Sequence, residues 1–207
     1  SGYFITLEGP DGCGKSTQIA PLAEYLRSKG RAVFTTREPG GTAISDQVRQ
    51  ILMAMKNTSM HPRTEILLFL SARAQLVEEV IRPRLEAGEV VISDRYADST
   101  LAYQGYGHGY DRELLGRLLE VATGGLRPNL TLLLDIDADT GLQRRQTGGG
   151  EWNRMDDYQK EFHRRVRAGY AELAAAEPQR WVTIDAVESP EMVQLALRRA
   201  VDARLFQ

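Results

Sequence analysis

Residues 9–16 read GPDGCGKS, directly after the apolar run YFITLE (3–8) and ahead of a helical pattern. The spacing G-x-x-x-x-G-K-S between a strand and a helix constrains this chain more than any other feature. Its glycines let successive backbone N–H groups turn inward, and the start of the next helix adds partial positive charge, so the loop cradles phosphate. Lys15 reaches the outer phosphates of a nucleoside triphosphate, and the Ser16 hydroxyl is suited to ligate Mg²⁺. The expected nucleotide-binding segment is therefore Gly9, Pro10, Asp11, Gly12, Cys13, Gly14, Lys15, Ser16 and Thr17.

A strand feeding a helix through such a loop calls for more of the same units. AVFTTR (32–37), EVVISD (89–94), LTLLLD (130–135) and RWVTID (180–185) are largely apolar rather than alternating, the pattern of strands covered on both faces of a parallel sheet. Helices are expected between them. The first runs from about 15 to 29 with Ile19, Leu22 and Leu26 on one face and Pro21 inside it, and the second from about 44 to 55, aligning Ile44, Val48, Ile51 and Met55. A third spans 62–88, bent at Pro83, and others cover about 111–123, 140–146, 161–176 and 190–205. The alternation implies an α/β fold: a five-stranded parallel sheet flanked by helices, in a single domain over 1–207. Only TGGGEWN (147–153) breaks the pattern, and it reads as a mobile loop.

Composition narrows the partners. With 26 Lys+Arg against 28 Asp+Glu, the formal charge of −2 calls for no nucleic acid. The single Cys13 excludes an intramolecular disulfide, and His61, His108 and His163 are too scattered to suggest zinc. No apolar run approaches the roughly 18 residues a membrane span needs, and the start SGYFITLEG lacks a charged segment leading into an apolar one. No membrane partner and a cytoplasmic location are expected.

Charge recurs where the strands end, at Glu8, Arg37, Asp94, Asp135 and Asp185, the edge at which open α/β sheets bind ligands. No N-K-x-D tetrapeptide occurs, which argues against a GTPase, and a motor belongs to a larger chain; a small phosphotransferase fits best. The Arg37 fork suits a phosphate. Asp94 can serve a Mg²⁺ shell and Arg95 can bridge donor and acceptor phosphates, with a structural salt bridge as the competing reading. Phe69 and Arg73 lie four apart, so a ring and a guanidinium share one helix face and can stack a base and bond its edge, although LLFLSAR by itself reads as core. Cys13 reads as a small packing residue; the sharper alternative is a thiol activated by the helix start and Lys15.

EGPDGCGKST, TREPGGT, LLFLSARAQLVEEVIRP, SDRYADSTLAYQG, RPNLTLLLDID and a basic stretch near 144–167 together cover essentially the whole chain. In order and spacing they resemble the thymidylate kinases. The resemblance implies the P-loop nucleoside-monophosphate kinase fold with a mobile lid around 141–155. It also implies ATP- and Mg²⁺-dependent phosphorylation of dTMP to dTDP, which supplies dTTP for DNA synthesis, and a homodimer.

By the same resemblance Phe69 stacks on thymine and Arg73 bonds its O4. Arg37 and Arg95 hold the acceptor phosphate, Asp11 reaches the 3′-hydroxyl side of the sugar, Thr100 and Gln104 lie near the base, and Tyr103 crowds the 2′ position against ribonucleotides. Lys15, Asp94 and Arg95 belong to the catalytic set, with Ser16 and Asp94 toward the metal. One branch of the family carries an arginine where this chain has Gly12; this chain resembles the other branch, whose lid supplies it. The candidates are Arg144, Arg145 and Arg154. Gln143, Gln146 and TGGG stand where relatives often carry more basic residues. The competing readings are a kinase for another deoxynucleotide and a nucleotide-binding module without turnover.

Overall fold

Phe4, Ile5 and Leu7 lose all solvent contact in β1 (Tyr3–Glu8), and so do Val90, Val91 and Ile92 in β3 (Val90–Asp94). Continuous burial of this kind follows when both faces of a parallel sheet are covered. The computed structural model describes residues 2–149 and 152–206. Among these, β2 (Val33–Arg37), β4 (Leu130–Asp135) and β5 (Trp181–Asp185) complete a five-stranded, all-parallel sheet in the order β2-β3-β1-β4-β5. Ile5 pairs with both Ile92 and Leu130, Leu7 with Asp94 and Leu132, and Arg37 with Asp94. This register brings the charged carboxyl ends of the strands to one edge, with the strand order reversing beside β1, between β3 and β4.

One face of the sheet is covered by α1 (Lys15–Ser28) and α9 (Pro190–Leu205), where Leu22, Leu26, Val193, Leu197 and Val201 join the core. Pro21 sits inside α1 without ending it. The helix expected over 62–88 is three consecutive pieces: α3 (Pro62–Leu76), a wide π turn (Val77–Ile81) and α4 (Arg82–Glu86). Pro83 has no N–H for the Glu79 carbonyl and its ring would strike that carbonyl, so the turn before it widens.

The segment between β3 and α6 (Arg112–Thr123) is helical as well, with α5 (Ala97–Thr100) running into a π helix (Leu101–Gly107). No helical signal is legible in that stretch, because Ser99, Thr100, Gly105 and Gly107 are poor helix formers. The segment is held instead by packing on α8 (Lys160–Ala176), where Gly169 admits the Tyr106 ring so closely that an added Cβ would lie 2.4 Å from it. Between them α7 (Ala138–Thr147) follows β4.

α2 (Ala43–Met53) turns the opposite way from its apolar pattern. Ile44, Ile51 and Met55 are 52%, 48% and 42% exposed, whereas Ser45 and Leu52 are buried. The Ser45 hydroxyl donates to the Ala72 carbonyl at 2.8 Å, which docks α2 on α3 by its polar side.

Candidate active site

A cavity of about 520 Å³ runs along the carboxyl edge of the sheet, from the glycine-rich loop at one end to Phe69 and Arg73 at the other. In the loop, Gly9, Gly12 and Gly14 all have positive φ. Gly12 also needs space: a Cβ there would stand 1.9 Å from the Gly141 carbonyl oxygen, so the first turns of α7 lie where a side chain at position 12 would project. Lys15 is buried and its ammonium donates to the carbonyls of Gly9 (3.1 Å) and Pro10 (3.3 Å) and to Cys13 Sγ (3.3 Å). Asp11, Gly12, Gly14, Lys15, Ser16 and Thr17 line the cavity. Gly9, Pro10 and Cys13 form the inner side of the turn: the Cys13 amide donates to Pro10 O, and its thiol is buried in the core under α1.

Arg95 is the central cation. Its Nη2 donates to Asp11 Oδ1 (2.9 Å) and Tyr103 OH (3.1 Å), and its Nη1 to Ser99 Oγ (3.1 Å) and Tyr170 OH (3.0 Å). Tyr103 OH in turn donates to Asp11 Oδ2 at 2.6 Å. Burial pushes the Asp11 carboxyl up, but Arg95, Lys15 and the Tyr103 hydroxyl outweigh it and hold the group below the ordinary carboxylate value. Asp11 thus fixes Arg95 and Tyr103 at the cavity wall. Asp94, paired in register with Arg37, lines the same stretch.

At the far end Arg73 is almost completely buried. Its Nε donates to Glu38 Oε2 (2.7 Å), its Nη1 to Thr100 Oγ1 (2.9 Å) and its Nη2 to the Tyr96 carbonyl (3.1 Å). Thr100 accordingly supports Arg73, and Phe69 stands one turn before it, half-buried in the cavity wall. Gln104 Nε2 donates to the buried Glu65 Oε1 at 2.7 Å.

The three lid arginines divide. Arg144 lines the cavity and donates to the carbonyls of Ala186 (2.7 Å) and Val187 (3.3 Å), in the loop after β5. Arg145 also lines it and forms an ion pair with the buried Asp156 at 3.0 Å. Arg154 is set apart from the cavity wall: it is buried against Glu65 (2.7 Å), and it donates to the Leu52 carbonyl (2.8 Å) and Tyr158 OH (2.7 Å). Glu65 collects Gln104, His108, Tyr158 and Arg154, so α3, the π helix and the segment before α8 meet on one carboxylate. In the glycine-rich stretch expected to be mobile, Gly150 and Glu151 lie outside the described residues.

Residues that sequence reasoning missed complete the wall. Arg49 of α2 lines the cavity, held by the Pro39 carbonyl at 2.9 Å, and burial together with the positive charge of Arg37 lowers its guanidinium below the ordinary value. Its signal, an arginine between the buried Ser45 and Leu52 of α2, is masked by the more apolar opposite face of that helix. Glu38 follows Arg37 directly and shows itself only through its ion pair with Arg73 at 2.6 Å. Tyr170 had no sequence signal beyond its place in α8.

The arrangement joins a glycine-rich loop, a cluster of arginines and the half-buried Phe69 ring in one groove. The thymidylate kinase family model matches residues 7–196. The chain is 52% identical to the thymidylate kinase of Roseiflexus sp. (strain RS-1), over 91% of this chain and 88% of that one. It is 48% identical to that of Deinococcus radiodurans, over 98% of each. The crystal structure of thymidylate kinase from Ehrlichia chaffeensis superposes with a TM-score of 0.79 at 33% identity, covering 98% of this chain and 99% of that one. A glycine-rich loop facing an arginine-lined groove, with this likeness over nearly its full length, makes the chain a member of the thymidylate kinase family.

Proposed function

We propose that the chain transfers the γ-phosphoryl group of ATP to the 5′-phosphate of dTMP, giving dTDP and ADP. The observation that carries this reading is the single cavity shared by the phosphate loop and the Phe69–Arg73 pocket, with Arg37, Arg49 and Arg95 between them. An oxygen of the acceptor phosphate forms the new bond to the γ-phosphorus, the bond from that phosphorus to the β,γ-bridging oxygen breaks, and ADP leaves with the electron pair. Such a transfer is mostly positioning and charge stabilisation. Lys15 serves the donor phosphates, Arg37 and Arg49 hold the acceptor phosphate, and Arg95 serves the acceptor and the moving group. Phe69 stacks the base, Arg73 bonds its carbonyl edge, Gln104 and Thr100 close that end, and Tyr103 crowds C2′.

Ser16 and Asp94 offer a hydroxyl and a carboxylate on the cavity wall, hard oxygen donors of the kind Mg²⁺ prefers. Among the described residues no cluster of three or more His, Cys, Asp or Glu forms a metal cage, which suits an ion held largely by phosphates and water. When bound, Mg²⁺ neutralises charge on the β- and γ-phosphates. Arg144 and Arg145 are the lid arginines that reach the nucleotide. Arg144 faces the loop after β5, where adenine would lie, and Arg145 is the stronger candidate for the transferring group. The moving part of the lid then ends before Arg154.

A homodimer belongs to the same proposal, supported by the exposed Ile44, Ile51 and Met55 on and just after α2 and by Leu67, 59% exposed, on the adjoining α3. The expected cytoplasmic setting is part of it as well; no described helix is long and apolar enough to cross a membrane. ADP release is measured with dTMP, dUMP, dCMP, dGMP and ribothymidine monophosphate side by side. dTMP turned over fastest and the ribonucleotide poorly is the expected result; equal turnover of dCMP or dGMP would overturn the acceptor assignment.

A further inference from the structure

Glu8 is a buried acid to which the reaction as described gives no task. It ends the central strand β1 without solvent contact, and both of its oxygens receive donors. Oε1 accepts the Tyr96 N–H at 2.8 Å. Oε2 accepts the hydroxyls of Ser99 (2.6 Å) and Tyr170 (2.8 Å), the same two hydroxyls that receive Arg95 Nη1.

A hydroxyl has one proton to give. Once Ser99 and Tyr170 give theirs to Glu8, only lone pairs are left facing Arg95, and the guanidinium has two acceptors aligned on one nitrogen. Without the carboxylate either hydroxyl can turn its proton toward the cation, or the two can bond to each other across their 3.0 Å separation. The backbone is held by the same group. Arg95 has φ 70°, making it the one non-glycine residue in the left-handed region among those described. The turn is closed by Arg95 N–H on Leu7 O (2.9 Å), by Ser93 Oγ on Arg95 O (2.7 Å) and, at the next residue, by Tyr96 N–H on Glu8.

We propose that Glu8 is a positioning residue for phosphoryl transfer, fixing both the backbone turn and the guanidinium of Arg95 against the acceptor phosphate. The inference rests on Arg95 holding that phosphate, as proposed above. Glu8 touches neither substrate; it acts through Ser99, Tyr170 and the Tyr96 amide.

Glu8→Gln tests this, because an amide must set its own N–H against at least one of three donors. Affinities for thymidine and for dTMP are measured by calorimetry at about pH 8.5, above the value of about 7 to which burial and Asp98 push the Glu8 carboxyl. Thymidine reports the base pocket alone, and the preference for dTMP over thymidine reports the phosphate. Glu8→Gln is expected to bind thymidine as the native protein does, to lose about tenfold of the dTMP preference and to lower kcat by at least about tenfold, with the KM for ATP little changed. A retained preference would overturn the proposal, as would parallel loss of thymidine and dTMP binding. Arg95→Ala serves as the reference. If it too keeps the dTMP preference, the role of Arg95 falls and this inference with it; if it loses the preference and Glu8→Gln does not, only Glu8 is dismissed. Should Glu8→Gln fail to fold, the Ser99→Ala, Tyr170→Phe double variant removes both relay hydroxyls, and an unchanged preference there overturns the proposal equally.

Discussion

Gly12 shows how one residue is constrained from two sides. Its φ of 78° disfavours any side chain, and the Gly141 carbonyl occupies the space one would need. Gly12→Ala is expected to cost roughly 1–3 kcal/mol of strain and to push α7 outward, read as a lower unfolding midpoint and a raised KM for ATP. A native-like KM would show that the loop and α7 are not in firm contact. Arg154 makes the complementary case, since its charge serves the buried Glu65 instead of the cavity. Arg154→Met takes the guanidinium from that buried carboxylate, leaving it to Gln104, His108 and Tyr158, at an expected cost of about 3 kcal/mol in denaturant unfolding. A variant of native stability that lost kcat alone would return Arg154 to the catalytic set.

At the scale of elements, α7 and α2 carry the two arguments. α7 brings Arg144 and Arg145 to the cavity from one helix, and an arginine that stabilises transition-state charge is worth about 10³–10⁵ in rate. Arg145→Ala is expected to lower kcat by at least about a hundredfold, and Arg144→Ala chiefly to raise the KM for ATP; two near-normal enzymes would sink the lid assignment. α2 presents Ile44 and Ile51 to solvent although its sequence pattern is amphipathic. The hydrophobic period reports that one helix face leaves water, and a core and a subunit interface satisfy it equally. If the proposed homodimer uses this face, Ile51→Glu produces a folded monomer in sedimentation, and an unchanged molecular mass would remove α2 from the proposed interface.

For the whole molecule, the buried acids set how stability depends on pH. Burial raises the Glu65 carboxyl, but His108, Arg154, Tyr158 and Gln104 outweigh it and draw the group down to about 2, from an ordinary 4.5. The folded form then binds fewer protons than the unfolded one between these values, so the stabilisation is complete above about 4.5 and is lost as pH falls toward 2. It amounts to roughly 3 kcal/mol. Glu8 runs the other way: its raised value makes its contribution greatest below 4.5 and lost as pH rises through about 7, so it adds no slope in the acid window. Urea midpoints at about pH 4.5 and about pH 2.5, below the range in which Glu8 titrates, check the fall, and equal midpoints would contradict it.

Much of this molecule is legible one segment at a time. The glycine-rich loop, the five apolar strands and the charges closing them depend on neighbours within a few residues, so the sequence by itself determined the α/β class, the phosphate site and the edge where chemistry occurs. The pairing of Phe69 with Arg73 is likewise a matter of helical spacing. What lies across the fold was decided only by tertiary structure. Arg154 and Arg145 are both arginines flanking the same glycine-rich stretch, and nothing local says that one meets Glu65 and the other Asp156. Arg49 joins Arg37 only because α2 buries its polar side, and Glu8 meets Tyr170 only because α8 packs beside β1's carboxyl end. Ion pairs and hydroxyl relays join residues far apart in the chain, and their partners are chosen by packing, which no local pattern records.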